Sequence, residues 1–259
     1  MIVGRFRIRK PGLVPTLATL VLLPILISLG FWQLHRADYK YALRAERRHN
    51  AALPPVTLDA VQRTTRHQFS RKVRVSGRFD LDHQLLLDNR THNSVPGYYV
   101  YTPLLVAGAH TVVLVNRGWV PQGVDRRHLP PLPGPTDKVS LVGVMARPPQ
   151  VALRLGTLGE GYPGWPKVVQ YVDTGWAAKQ LGQRVLGFTL LQDSGADYGM
   201  IRDWRDFQSG LELMPPEKHV SYAVQWFTMA AVLVLIYIGV HVRRVRPDAE
   251  RLDVERGKR

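Results

Sequence analysis

Hydrophobic and polar positions divide this chain into three regimes. Residues Leu13–Leu34 run for about 22 positions without a charge, and Tyr222–Val242 form a second run broken only by Gln225, Thr228 and His241. At about 1.5 Å of rise per helical residue, either run reaches across a hydrocarbon core of roughly 30 Å, which predicts two transmembrane helices. Pro24 lies inside the first run and predicts a kink there. Between the runs, short segments with alternating or continuous apolar residues recur at Arg71–Phe79, Gln84–Asp88, Tyr98–Val106, Thr111–Val115, Val139–Met145, Lys167–Val172 and Val185–Leu191, with period 2 clearest in Arg71–Phe79. That period belongs to strands with one buried face. Gly, Pro and Asn turns separate several of them, so a mostly antiparallel, open barrel-like β domain is expected. Helical patterns are fewer. Tyr39–Asn50 extends the first span as a basic helix, Leu58–His67 is a short candidate, and Asp173 caps a helix over "TGWAAKQL". The proline-rich "LPPLPGP", Leu129–Pro135, cannot pair inside a sheet and predicts an extended surface connection. The fold class is therefore an α+β membrane protein in which two transmembrane helices flank the β domain.

Charge orients this frame. The 259-residue chain has a formal net charge of +15, which would suggest nucleic acid if the charge were gathered on one run or interleaved with stacking aromatics. Instead Arg5, Arg7, Arg9 and Lys10 precede the first span without an acid, and "HVRRVR" closes the second. Basic residues outside both spans place both termini in the cytoplasm. The expected organisation is a cytoplasmic basic N-terminus (1–12), a first transmembrane helix (13–34), a periplasmic β domain (35–218), a second transmembrane helix (219–242) and a cytoplasmic basic tail (243–259). The first apolar run is too long for a cleaved signal peptide, and its exit, "GFWQLHR", lacks a small-x-small cleavage pattern, so it reads as an uncleaved anchor. There is no cysteine, which removes disulfides, thiolate zinc sites, iron–sulfur clusters and thiolate copper donors.

Candidate chemistry gathers at the outer ends of the spans. His219, Tyr222, Ala223 and Trp226 fall at helical i, i+3, i+4 and i+7, so imidazole, phenol and indole share one stripe. Trp32, Gln33, His35, Arg36 and Lys40 stand at the exit of the first span. Two readings stay open on this chemistry: ordinary interfacial anchoring, or a site for a flat macrocycle with an imidazole for its metal and cations for its acidic groups. A second constellation is "VNRGWVPQG", Val115–Gly123, where a strand end re-aims Arg117, a fork suited to a carboxylate, beside Gly118 and the plate of Trp119. Its plainer reading is a hairpin corner with Trp119 in the core and Arg117 in a structural ion pair. No G-x-S-x-G elbow, HExxH or phosphate-cradling glycine loop occurs, so no enzyme is expected.

In order and spacing, "LGFWQLHRADYK", "VSGRF", "VNRGWVP" and "HVSYAVQWF" resemble the signature blocks of the Surfeit locus protein 1 family, assembly factors of haem-copper cytochrome c oxidase. The resemblance implies that Trp32, Arg36 and Lys40 belong to the first signature, with Gly30, Gln33 and Leu34. Arg117, Gly118 and Trp119 then belong to a loop signature with Asn116 and Pro121. His219 matches the family histidine proposed as an axial ligand of haem a iron. The function implied by the resemblance is to help haem a enter oxidase subunit I; joined to it, the macrocycle reading has haem a bound transiently, with Tyr222 and Trp226 stacking on the ring and Arg36 or Lys40 at its propionates. Haem a synthase is a further partner on this reading, and the location is the inner membrane of a bacterial cell. The alternative is a haem-independent interaction module that stabilises subunit I through Arg117, Gly118 and Trp119.

Overall fold

The computed structural model describes residues 2–3, 6–8, 12–62, 69–123, 125–151, 157–159, 164–204 and 214–244. They fall into two compact units, Met1–Leu43 with Met214–Arg259, and Arg44–Leu213.

The first unit is a helix pair. Helix α1 (Leu13–Ala52) runs unbroken through Pro24, and its last residues enter the second unit. Helix α4 (Pro216–His241) is the later one, and both are long and apolar enough to cross a membrane. Only Gly30, Gln33 and Ala37 of α1 are buried, and on α4 only Pro216, His219, Ala223, Ala230 and His241. Leu20, Ile25, Leu235 and Ile236 stand exposed around them, the distribution of helices whose outer faces meet hydrocarbon rather than water. Polar contacts fix an antiparallel register. At one end the Gly12 backbone N–H donates to His241 Nε2 (3.3 Å), and the Thr16 and Tyr237 hydroxyls bond at 3.0 Å. Short strands β1 (Ile2–Val3), β2 (Phe6–Ile8) and β11 (Val242–Arg244) form an antiparallel sheet beyond that end.

The second unit is a β barrel. Its strands are β3 (Val56–Thr57), β4 (Lys72–Phe79), β5 (Leu85–His92), β6 (Val95–Val106), β7 (Val112–Pro121), β8 (Val139–Ala146), β9 (Lys167–Val169) and β10 (Val185–Gln192), in sheet order β3-β4-β8-β10-β7-β6-β5-β9. A further pairing of β4 with β6 closes β4, β8, β10, β7 and β6 into a five-stranded barrel. Most pairs are antiparallel; β3–β4, β5–β9 and β7–β10 are parallel. Alternating residues fill the interior: Val73, Val75 and Phe79 of β4, Leu141 and Met145 of β8, Phe188 and Leu190 of β10, Val113 and Val115 of β7. Each such side chain contributes roughly 1.5–3 kcal/mol by leaving water. Outside the barrel wall, α3 (Thr174–Leu181), capped by Asp173, covers a second core of Leu85, Tyr99, Leu114 and Leu191. Short helix α2 (Leu58–Gln62) follows β3, and the rest of the expected helix, 63–67, lies outside the described residues.

Strands β6 and β7 are buried on both faces over most of their length, so their sequences are near-continuous apolar runs. The seven strands expected from the sequence all form, and β3, at two residues, carries no readable period. The proline-rich connection stays outside the sheet as expected but is half buried, because its Leu132 and Pro133 carbonyls accept hydrogen bonds from Gln84 and Arg117.

Closure is made at Gly77, where a Cβ would sit 2.2 Å from the Leu105 carbonyl oxygen. Gly77→Ala is therefore expected to destabilise the barrel by more than about 2 kcal/mol. Gly187→Ala, at a strand position with nothing within 4 Å of the new Cβ, is expected to stay within about 0.5 kcal/mol. Thermal unfolding of the two full-length variants in detergent, followed by far-ultraviolet circular dichroism, measures the difference.

Candidate functional site

Helix α4 starts with Pro216, whose fixed φ suits a first helical position, and Glu217, whose charge suits the N-terminal dipole. This start sets His219 in the first turn, facing α1. His219 is 5% exposed, and Gln33, in the charge-free run of α1, is 8% exposed. Their side chains meet at 2.7 Å, His219 Nδ1 to Gln33 Oε1. An amide oxygen accepts, so Nδ1 carries the proton and Nε2 keeps a lone pair. Nε2 is buried and has no hydrogen-bond partner among the described residues. A histidine whose other nitrogen is fixed by a neighbouring oxygen is the usual arrangement of a metal-ligating imidazole. Among the described residues no three His, Asp or Glu side chains gather as a metal-holding group, so the donor set here is this single nitrogen. One neutral imidazole nitrogen is the kind of donor that an axial position of a macrocycle-bound iron takes.

Small residues let the helices approach here. A Cβ on Gly30 would lie 2.5 Å from the Phe227 ring, Phe31 meets Phe227 edge-on at 5.3 Å, and Ala37 and Ala223 are each 1% exposed. Lys40 Nζ donates to the Met214 carbonyl, tying α1 to the turn before α4. Among the other residues named from the sequence, Trp226 is half buried. Tyr222 is 42% and Trp32 58% exposed, so neither lies in the packed seam with His219. Arg36 is exposed with its guanidinium 5.6 Å from the Tyr39 ring, and His35 is exposed, whereas His219 is buried. Gln33 and Phe227 stood in the quoted blocks without a site role. An amide in a charge-free membrane run was the available signal for Gln33.

The second constellation lies in the barrel wall. "VNRGWVP" is part of β7 itself, where the pairing with β6 jumps from Tyr101↔Asn116 to Val100↔Gly118. Arg117 is the extra residue of this bulge, so Asn116 and Arg117, though adjacent, are both buried. Gly118 has φ +140° and a Cβ there would meet Met200 at 2.8 Å, so glycine is required. Trp119 is 4% exposed and donates its indole N–H to the Arg90 carbonyl at 2.9 Å. Arg117 is 1% exposed. Its Nη2 donates to the Pro133 carbonyl and its Nη1 to Gln84 Oε1 at 3.4 Å, while the rings of Phe79 and Tyr198 lie 5.4 and 5.5 Å from its Cζ. Burial first, and then the charge of Arg202, lower its pKa to about 10, still cationic at neutral pH. No carboxylate among the described residues pairs with it, so the ion pair of the plainer sequence reading is absent there. The hairpin corner gives way to a bulged strand, with Trp119 in the core.

Fold and site define a class: an α+β protein of two long apolar helices and a closed five-stranded barrel, with one orphaned buried imidazole between the helices. The sequence profile of the SURF1 family matches residues 20–231, and the chain belongs to that family. The "SURF1-like protein" of Rickettsia bellii is 28% identical over 85% of this chain and 88% of its own length. "Surfeit locus protein 1" of Rattus norvegicus is 24% identical over 84% of this chain and 72% of its own. "Cytochrome oxidase assembly protein SHY1" of Saccharomyces cerevisiae is 27% identical over 56% of this chain and 39% of its own.

Gln33→Leu keeps the volume of the seam but strands His219 Nδ1, which is expected to cost about 1–3 kcal/mol. Thermal melting of the detergent-solubilised full chain measures this, and Gln33→Asn, too short to span the 2.7 Å contact without movement, is expected to fall between.

Proposed function

We propose that this protein is a non-catalytic assembly factor of cytochrome c oxidase, which holds haem a transiently and aids its insertion into subunit I. The single observation that supports the haem reading is the buried, unpartnered Nε2 of His219, with its lone pair set by Gln33. Family membership and the name of the yeast relative support the oxidase reading. His219 is the residue that holds the iron, Trp226 the adjacent plate, and Arg36 and Lys40 the cations on the same helix face for propionates. Lys40 already spends its ammonium on a backbone carbonyl, so Arg36, exposed, is the readier of the two. Tyr222 and Trp32 join the ring contact from the exposed side of the seam or act as interfacial anchors. One neutral nitrogen is a ligand that can be surrendered, which handing cargo to another protein requires.

The location that suits this role is the bacterial inner membrane. Helices α1 and α4 span it, the basic ends lie in the cytoplasm, and the barrel stands in the periplasm, where haem a synthase would be a neighbour in the same bilayer. Basic residues flank both apolar runs toward the two ends of the chain, a pattern that supports this orientation. A reporter active only in the cytoplasm, fused after Arg259, is expected to be active, and the same reporter inserted at Gly108, an exposed turn of the barrel, to be silent. The reverse pattern overturns the topology.

Full-length protein produced together with haem a synthase is expected to carry a Soret band and a pyridine haemochrome of haem a. His219→Ala is expected to lower haem occupancy at least about tenfold, as loss of an axial ligand does. A wild-type protein without either spectral feature overturns the haem reading. Unchanged spectra in His219→Ala overturn the ligand assignment. Co-purification of subunit I with a haem-free protein would instead support the haem-independent holder.

A further inference from the structure

We propose that the barrel carries a second binding site, in the cavity beside Arg117, for a small carboxylate that also bears a hydroxyl or amino group. The cavity has a volume of about 170 Å³ and is walled by Phe79, Arg117, Leu141, Gln192 and Tyr198. Its mouth is formed by Gly195 and Ala196, on an exposed turn after β10. A cavity of about 150 Å³ takes a benzene ring, so this volume suits roughly six to eight non-hydrogen atoms.

The chemistry of the walls names the ligand. Arg117 is a fully buried cation without a carboxylate partner among the described residues, and its two hydrogen bonds use two of five N–H donors. Phe79 and Tyr198 lie against it as rings, which leaves the guanidinium edge as the part able to take an anion. Gln192 is 5% exposed, and its Nε2 donates to the Ser194 carbonyl at 2.9 Å. That bond orients the amide and leaves Oε1, a buried acceptor, with no partner among the described residues. An anion alone satisfies Arg117 and leaves Gln192 wanting a donor; a hydroxy- or amino-carboxylate satisfies both.

Neighbouring charge favours this assignment. Arg202 adds a second cation close enough to act on Arg117, and it braces the mouth by donating to the Arg117, Gly195 and Ala196 carbonyls. The nearby acids are Asp193, paired with Lys72 at 3.2 Å, and Asp197, whose Oδ1 accepts from the Gly199 N–H; both act on Arg202 rather than on Arg117. The proposal is independent of the haem reading, since it uses only residues of the barrel.

Isothermal titration of the full-length protein in detergent with lactate, acetate and lactamide tests it. Lactate is expected to saturate and to bind at least about tenfold more tightly than acetate, which lacks the donor, or lactamide, which lacks the charge. Arg117→Gln is expected to abolish lactate binding, and Gln192→Leu to remove the preference for lactate over acetate. Because Arg117 lies in the barrel wall and its replacement can unfold the domain, Ala196→Leu gives a separate arm. It narrows the mouth from an exposed turn without touching Arg117 and is expected to weaken lactate at least about tenfold with an unchanged melting temperature. Failure of lactate to saturate by about 50 mM, a water-filled cavity only, overturns the proposal. So does binding of acetate or lactamide as tight as that of lactate, or a folded Ala196→Leu that binds lactate as the wild type does.

Discussion

Strand β6 is paired with three others, β7, β5 and β4, and this triple pairing organises the barrel unit. Without the β4–β6 hydrogen bonds the sheet would remain open, with one apolar face to cover. With them, the sheet encloses its own interior at one end of β6 and continues outward through β5 and β9 at the other. The middle of β6 is consequently buried on both sides, and so is β7 beside it. Closure also limits what the joint can hold. The β4 edge is shared between β3, at Val73 and Arg74, and β6, at Gly77 to Phe79, and a side chain at Gly77 would collide with the strand it must pair with.

The bulge in β7 follows from the same closure. A regular strand would send Asn116 and Arg117 to opposite faces, and both faces of β7 are already filled. The extra residue lets the strand bend, with the Asn116 side chain accepting from the Gly118 N–H, and Gly118 adopts the positive φ that restores pairing. The consequence is a cation brought out of water, a state that is tolerable only with compensation. Two carbonyl-type oxygens and two aromatic rings compensate it in part, and Gly134, where a Cβ would lie 2.9 Å from Nη1, leaves the guanidinium its room. This explains why the proline-rich connection is drawn in against the barrel: it supplies oxygens to Arg117 and Gln84 that the filled sheet cannot.

Much of this architecture was legible in the sequence, for physical reasons. The two helices show in uninterrupted apolar length, and the strands either in their period or, where both faces are buried, in short apolar runs bounded by turn residues. The joints were not legible. Closure depends on which edge strands meet, and nothing in "VSGRF" says that its glycine faces the Leu105 carbonyl. "VNRGWVP" has the composition of a turn, and only a filled environment on both sides makes it a bulged strand. Helical spacing put His219, Tyr222, Ala223 and Trp226 on one stripe about 100° wide. The seam between the helices is narrower, taking His219 and Ala223 and leaving Tyr222 at its outer edge. The partner of His219 was hidden because it sits 186 residues away in sequence, in a span whose register only packing decides.

The polar groups at the two sites share one feature. His219 has one nitrogen bonded and the other buried without a partner, and the Gln192 amide is oriented through its nitrogen while its oxygen is left over. A fully satisfied buried group has nothing left to offer a ligand, and a wholly unsatisfied one would cost the fold a large part of its margin. Half satisfaction does otherwise: the bonded side fixes orientation in the folded chain, and the free side keeps a directional atom whose desolvation has already been met on folding. Binding there recovers that cost, so a small contact can be selective. It need not be tight, because one recovered hydrogen bond or one axial nitrogen is a modest energy. For the proposed role, in which cargo must leave again, pre-set orientation with modest affinity is the useful combination, and both proposed sites have a neighbouring oxygen that holds the side chain from behind.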